Sequence, residues 1–446
     1  MVNHTNILNV LDQIINETTS HIHDFTNSRH DFTRKRKLSA GTVIKTILNM
    51  RGNSLNAELF DAFPEPNKQV SVPAFEQQKA KLTPACFEYI FHQFNRQTNN
   101  QQLLNHQYHV LAIDGSDFNL PWNPDSNYVC DFSKDKPYCQ MHVNALYDLL
   151  NKSYQDCVIQ PKAKMNERDS VLEMMNRLPN NAIVIMDRGY PSFNLIENLN
   201  RHQGTYYVIR ARLSGGCIKE IKELPASECD RQIKCRITTS SHYYIEHKDK
   251  EKVHCINHHW HQYKAFRSKN TEDQRWDFGV FCTINFRACK FRIGTTKTGK
   301  PEWEVLITNL PKEQFPLPQM KWLYHLRWGV ETAFAKLKYD LGAIQFHSKK
   351  DKFIEMELYA NLIMYNVVST IVNQANVPQI NHCHWYTVNF KMATIIVRHY
   401  YRNNWQLKFR QLLVQLQGYL IPIRPGRRDK RKLRAKRAVG FVYRVV

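Results

Sequence analysis

The stretch from Tyr324 to Lys338, YHLRWGVETAFAKLK, concentrates groups able to do chemistry. On a helix, at about 100° per residue, Tyr324, Arg327, Glu331 and Lys338 fall within roughly 60° of one another. Beside them, Leu323, Leu326, Val330, Phe334, Leu337 and Leu341 make an apolar stripe wide enough to bury against a core. Such a helix holds one carboxylate rigidly at the edge of a site, with two cations and a phenol aimed the same way. Taken alone, a Glu four residues after an Arg is an ordinary surface pair worth roughly 0.3 kcal/mol. Its meaning depends on other acids.

Two apolar runs supply them. VLAID ends in Asp114 before Gly115, and NAIVIMD ends in Asp187 before Arg188, Gly189, Tyr190 and Pro191. A lone Asp after a strand is more often a turn former than a ligand. Acids at the ends of neighbouring strands lie close in space, however, and a helix packed across that sheet brings Glu331 to meet them. Three clustered carboxylates repel unless a cation holds them, and hard oxygen donors with open positions suit Mg²⁺ or Mn²⁺. Two such ions about 4 Å apart activate a water or a 3′-hydroxyl and stabilise the leaving oxygen in phosphodiester displacement. Arg327 and Lys338 are then placed to pair with substrate phosphates, and Tyr324 to donate a hydrogen bond to another.

The elements that must position these residues follow from periodicity. VLAID, then QMHVNALYDLL and SYQDCVIQP joined by a tight hairpin through Asn151, Lys152 and Ser153, give three strands. ERDSVLEMMNRL is an amphipathic helix, NAIVIMD a strand, SFNLIENLN a helix and YYVIRAR a fifth strand. This is an α/β arrangement with antiparallel and parallel parts, spanning residues 105–212. Residues 1–104 read as a helical domain, broken by PEPNK. A helix, the turn at Pro64 to Pro66 and the next helix have the layout of a helix-turn-helix variant. RKRK at 34–37, with Lys68, Lys79 and Lys81, offers it a basic face for DNA. Residues 213–310 keep a period of two in KCRITTS, HYYIEHK, DFGVFCTINF, CKFRIGT and WEVLITNL, and read as a β-rich insertion carrying Trp260, Trp276 and Trp303. Residues 311–375 hold the glutamate helix and a long apolar helix, IEMELYANLIMYNVVSTIVNQ, whose Glu355, Glu357 and asparagines argue against a membrane span. Residues 376–446 add helix and the tail RPGRRDKRKLRAKR, in which nine of fourteen residues are Lys or Arg, a block that normally touches nucleic acid.

Composition agrees with that partner. Lys and Arg outnumber Asp and Glu by 62 to 40 in 446 residues, a formal charge of +22 that favours polyanions, nucleic acid first. No apolar run approaches the ~20 residues of a spanning helix, and the N-terminus does not read as a secretory signal. The expected location is intracellular. Eleven cysteines without a C-x-x-C pair read as free thiols. In HCINHHWH, zinc would accept His254, Cys255, His258, His259 and His261. The spacing matches no standard ligand set, so these are expected to be exposed histidines on a strand.

The pattern Tyr, two residues, Arg, three residues, Glu, six residues, Lys is met by Tyr324, Arg327, Glu331 and Lys338. It resembles the signature of DDE transposases of bacterial insertion sequences, in the group numbered four. AIDGSDFNLP around Asp114, IVIMDRGYPSFNLIENL around Asp187, WEVLITNLP, NLIMYNVV, VSVPAFEQQKAKL and RPGRR extend the likeness over most of the chain. The resemblance implies an RNase H-like catalytic core interrupted by a β-rich insertion, flanked by helical N-terminal and helical, basic C-terminal regions. It implies Asp114, Asp187 and Glu331 as a metal-binding triad for two Mg²⁺, with Mn²⁺ able to substitute. It further implies cut-and-paste transposition at terminal inverted repeats of double-stranded DNA, by a homodimer in a prokaryotic cytoplasm, at the nucleoid. Relatives place an insertion tryptophan on a flipped base, but no motif matches that role to Trp260, Trp276 or Trp303. A metal-dependent nuclease or resolvase without strand transfer, and a transposase-derived DNA-binding regulator, are the alternatives.

Overall fold

Three serines set the start of the chain's helical part. In the computed structural model, the Oγ atoms of Ser39, Ser54 and Ser71 accept from the amides of Thr42, Ala57 and Ala74, capping α2 (Ala40–Asn49), α3 (Leu55–Ala62) and α4 (Val72–Lys79). They lie between α1 (Ile7–Ser20) and α5 (Pro84–Thr98). The structure describes residues 6–34, 36–98, 102–131, 136–213, 216, 218–250, 252–256, 275–296, 298–375, 377, 385–403 and 408–423. The basic tail, Lys35, Trp260, His258, His259 and His261 lie outside them. PEPNK becomes a short 3-10 turn, Pro66–Lys68, between α3 and α4.

The middle of the chain forms one ten-stranded sheet. Its first part is β1 (His109–Leu120), β2 (Val129–Cys130), β3 (Tyr138–Asp148), β4 (Ser153–Pro161), β5 (Ala182–Met186) and β6 (Thr205–Ala211), with α6 (Glu167–Met175) and α7 (Phe193–Arg201) in the crossovers. The hairpin expected at Asn151–Ser153 joins β3 to β4. β1 pairs antiparallel with β3 and parallel with β5, and β5 runs parallel to β6. The remaining strands are β7 (Cys229–Thr238), β8 (Val253–Cys255), β9 (Phe281–Thr295) and β10 (Pro301–Thr308), with α8 (Ser241–His247) between β7 and β8. They continue the same sheet: β10 pairs with β6 on one side and β9 on the other, because its apolar run has partners on both edges. HYYIEHK, expected as strand, is α8. Ser240 caps it by accepting from the Tyr243 amide, and Tyr243 stacks on His247 four residues later, a helical pairing that period-two reading misses.

The long apolar segment is α11 (Asp351–Gln374), and it is a core element. It follows α9 (Leu317–His325) and α10 (Trp328–Ala335) and precedes β11 (Trp385–Val388), α12 (Phe390–Arg402), α13 (Phe409–Gln417) and β12 (Leu420–Ile423). Residues from α1, α2 and α5, from α11 and from β3 belong to a single apolar cluster, including Leu11, Ile44, Phe91, Ile363 and Val143. Asn366 of α11 completes the edge of β4: its Oδ1 accepts from the Tyr154 amide at 2.8 Å and its Nδ2 donates to the Tyr154 carbonyl at 2.7 Å. A polar side chain thus satisfies backbone groups that a helix cover would otherwise strand. No helix among the described residues is long and apolar enough to cross a membrane.

Lys79, read from sequence as part of a basic face, is fully buried. Its Nζ lies 3.1 Å from Glu357 of α11, whose other oxygen accepts from both the amide and Nδ1 of His347. Neutralising a buried carboxylate, rather than meeting DNA, is the role its surroundings give it. Arg34, Arg36, Lys37 and Lys68 do stay exposed. Burial alone would push the Glu357 carboxyl up, but Lys79 and His347 override it and hold it at about 2 instead of 4.5. A depressed carboxylate contributes stability above its unfolded pKa, and that contribution is lost as pH falls through the folded one. Equilibrium denaturation is therefore expected to show about 3 kcal/mol fading between pH 5 and about 2. Glu357→Gln should flatten that slope, and Lys79→Ala should cost about 3 kcal/mol at pH 7 by leaving a buried carboxylate with His347 alone.

Candidate active site

The parallel register between β1 and β5 runs from His109 opposite Ala182 to Ala112 opposite Ile185. Continued by two residues, it sets Asp114 level with Asp187, just where β5 ends. Asp114 is not at the end of its own strand as the sequence reading had it. β1 runs on to Leu120 against β3 alone, and the acid sits at the point where the strand loses its parallel neighbour. Residues of one parity along β1, Ala112 and Phe118, face the cluster that holds Val330 and Ala333 of α10. Ile183 and Ile185 of β5 pack with Met320, Leu323 and Tyr324 of α9. By strand alternation Asp114 and Asp187 belong to this same helix-covered face.

The helix expected over Tyr324–Lys338 is α9, a tight turn and α10 in succession. At the junction, Arg327 N donates to the Tyr324 carbonyl and Val330 N to that of Arg327, bonds of three-residue span. After Ala335 the chain loosens into a π turn, Lys336–Asp340. Overwinding followed by underwinding keeps the polar stripe pointed at the sheet. Upstream, Arg287 on β9 is buried and reaches Asp230 by two bonds of 2.7 and 2.8 Å, and the carbonyls of Leu310 and Phe315. It fixes the loop that delivers α9.

Arg327 is the centre of the constellation. It is 7% exposed; Nη2 donates to Glu331 Oε1 at 2.6 Å and Nη1 lies 3.4 Å from Asp114 Oδ2. The guanidinium therefore joins the helix acid to the sheet acid. Burial pushes the Asp114 carboxyl up to about 6; Arg327 and the Gly115 amide pull against it, while Asp187 and Glu331 add to the rise. Asp187 Oδ1 accepts from the Gly189 amide at 2.6 Å.

Lys338 reaches the same face from the π turn, but not as a free cation. Its Nζ donates to Ser116 Oγ at 2.8 Å and to the Asp117 carbonyl at 2.6 Å, and burial lowers it to about 8. It pins the helix end to β1. Tyr324 is buried, and its hydroxyl has no hydrogen-bond partner among the described residues; the same holds for Arg327 Nε and for the hydroxyl of Tyr190. Tyr190 lies in the field of Glu167, Asp114 and Asp187, and burial raises it well above a phenol's usual range.

A polar network missed from sequence flanks the acids. His142 on β3 bonds Asp117 through Nδ1 and lies 3.2 Å from Glu167 through Nε2, while Lys162 approaches Asp117 at 3.0 Å. Burial works against a charged His142, but the bonds to Asp117 and Glu167 overcome it and raise its pKa. The signal available was Glu167, an acid opening the first turn of α6. Nothing in one-dimensional spacing tied it to Gly115. HCINHHWH departs from expectation too: His254 is 4% exposed and bonded to Glu220 at 2.7 Å. Of the tryptophans, Trp276 donates its indole N–H to the Gly279 carbonyl and Trp303 lies under the Lys290 ammonium.

The donors fit a hard divalent cation, being three carboxylates near buried phenols that still lack partners. They are not drawn tightly together. The described donors that gather in threes within 4.8 Å are Glu220, Cys235 and His254, so the three acids stand further apart, with Arg327 between two of them. Gly115 leaves room for two side-chain ends of the flanking network. A Cβ there would sit 2.4 Å from His142 Nε2 and 2.6 Å from Glu167 Oε1. Gly115→Ala is expected to leave the secondary structure unchanged by circular dichroism. The His142 pKa should fall, read by NMR titration, because the bonds to Asp117 and Glu167 that raise it are pushed apart.

The family model described as the transposase DDE domain matches residues 105–367. Among solved structures, the chain is similar to a piggyBac transposase synaptic complex with hairpin DNA, at 14% identity and a TM-score of 0.48, covering 96% of this chain and 88% of that one. A search of curated proteins returns no match.

Proposed function

We propose, from the premise that the chain belongs to the transposase DDE-domain family, that it is a cut-and-paste DNA transposase with Asp114, Asp187 and Glu331 as its metal-binding acids. The single observation that carries this reading is the level placement of Asp114 and Asp187 on parallel strands, with Arg327 joining Asp114 to Glu331. The five-stranded part β4-β3-β1-β5-β6, with three antiparallel strands followed by two parallel ones, supports an RNase H-like core. Residues 213–310, with β7 to β10, extend it as the insertion before the glutamate.

When bound, two Mg²⁺, or Mn²⁺ in their place, supply a polarised water or 3′-hydroxyl and stabilise the leaving oxygen of the phosphodiester. The chain's own residues do the rest. Arg327 neutralises Asp114 and Glu331, and its fork would be placed to meet a phosphate oxygen beside them. Lys338 holds β1 in place and lends positive charge to the strand's exposed side, and Tyr324 donates its unpaired hydroxyl to another phosphate. Asp114 must be ionised to hold a cation, so its raised carboxyl makes cation uptake weaken as pH falls.

The partner is double-stranded DNA: the terminal inverted repeats of an insertion sequence, then a target. Exposed Arg34, Arg36 and Lys37 and the basic tail would contact it, in a homodimer that brings two ends together in a bacterial cytoplasm. The order of events is nicking at each end, attack of the freed 3′-hydroxyl on the opposite strand through a hairpin, and joining to target.

Supercoiled plasmid carrying the element's ends, incubated with protein and Mg²⁺, provides the test. Asp114→Ala, Asp187→Ala and Glu331→Gln should each lower end cleavage by about a hundred- to a thousandfold, the size of loss seen when a charge-stabilising group is removed from a reacting centre, while end binding in gel shift stays within about threefold. Full cleavage by any of the three refutes the triad. Cleavage without joining to a target plasmid makes the protein a nuclease, and activity of the triple variant in a repression assay alone makes it a regulator.

A further inference from the structure

β8 is a three-residue strand at the sheet's edge, parallel to β7, and its register sets His254 opposite Ile237. Cys235 lies two residues before Ile237, so strand alternation puts Cys235 and His254 on one face. A 3-10 turn, Lys219–Glu223, covers that face through Ile218 and Ile221, and it brings Glu220 alongside. Cys235 is fully buried, His254 is 4% exposed and the Glu220 side chain 13%. One ligand atom from each lies within 4.8 Å of the other two.

We propose that Glu220, Cys235 and His254 form a zinc site that fastens the edge of the sheet. A thiol, an imidazole and a carboxylate together are a zinc donor set, too soft for Mg²⁺ or Ca²⁺. Tetrahedral zinc, with bonds of about 2.0–2.3 Å, separates its ligand atoms by about 3.5 Å. The present spread brackets that value: His254 Nε2 and Glu220 Oε1 stand at 2.7 Å and open by about 1 Å to admit the ion. Charge balances as well, since one thiolate and one carboxylate cancel the ion's two positive charges in a buried place. Binding releases the Cys235 thiol proton and the proton shared by His254 and Glu220 to solvent. Water takes the fourth position.

The competing account is an ordinary buried Glu–His pair with a thiol beside it. That account gives Glu220, besides His254, only the Cys235 thiol, a weak donor, so a buried carboxylate oxygen stays poorly satisfied, a cost that a ligand would remove. It also leaves the edge weakly held, because β7 and β8 share only three paired positions and β8 follows a short helix. An ion joining the turn, β7 and β8 ties three segments widely separated in sequence.

The site is independent of the catalytic reading, and its test does not use activity. The full chain, grown with zinc and dialysed against metal-free buffer, is measured by elemental analysis. About one zinc per chain is expected, near zero for Cys235→Ser and His254→Ala. Exchange with Co²⁺ should give a thiolate-to-cobalt charge-transfer band that Cys235→Ser abolishes. His254→Cys keeps a zinc ligand while destroying the ion pair, so it should retain the metal and strengthen the band. The proposal is overturned if wild-type protein takes up no zinc from an added zinc salt. It is also overturned if Cys235→Ser and His254→Ala hold as much zinc as wild type, or if His254→Cys binds none.

Discussion

The guanidinium of Arg327 spans Asp114 and Glu331, and it ties a sheet to a helix where like charges would drive them apart. Everything around it serves that bridge. The apolar cluster of Val110, Ile183 and Ile185 with Met320 and Leu323 presses α9 onto the sheet. Lys338 anchors the far end of the helix to β1, and Arg287 anchors the loop before it. A single ion pair at a surface would count for little; this one is part-buried, is shared by two acids and is oriented by packing on both sides. The raised Asp114 carboxyl records what remains unbalanced after Arg327 has acted.

The sheet contributes position by a simple rule. Parallel neighbours in fixed register carry side chains at equal height, and β1 outlasting β5 turns that equality into an open edge. Two glycines keep this edge narrow. Gly115 leaves room for His142 and Glu167, and Gly189 turns its amide back onto Asp187, where an added Cβ would come within 3.0 Å of the carboxylate. Backbone without side chain is thus as much a part of the site as the acids are.

Much of this was legible in the sequence. The strand that carries Asp114, though not its end at Leu120, the strand before Asp187, the β3–β4 hairpin and both crossover helices follow from periods of two and 3.6, because each element buries one clear face. Period failed where burial did not follow local pattern. HYYIEHK alternates like a strand, yet a serine cap and an i, i+4 ring pair make it helix. Lys79 and His254 have the composition of surface residues, and only contacts far along the chain, with Glu357 and Glu220, reveal them as buried. Arg327 was placed beside Glu331 by helix geometry, but its bridge to Asp114 joins residues from opposite ends of the family domain. Lys338 was read as free charge, and the loosened turn instead directs it to Ser116.

α11 has one further consequence. Because α1, α2 and α5 share an apolar core with α11 and with β3, the helical start of the chain and the sheet move together. A helix of 24 residues, about 36 Å long at 1.5 Å per residue, acts here as the shank of a caliper. Groups carried by the N-terminal helices and groups carried by the sheet are thereby held at a set spacing across one core.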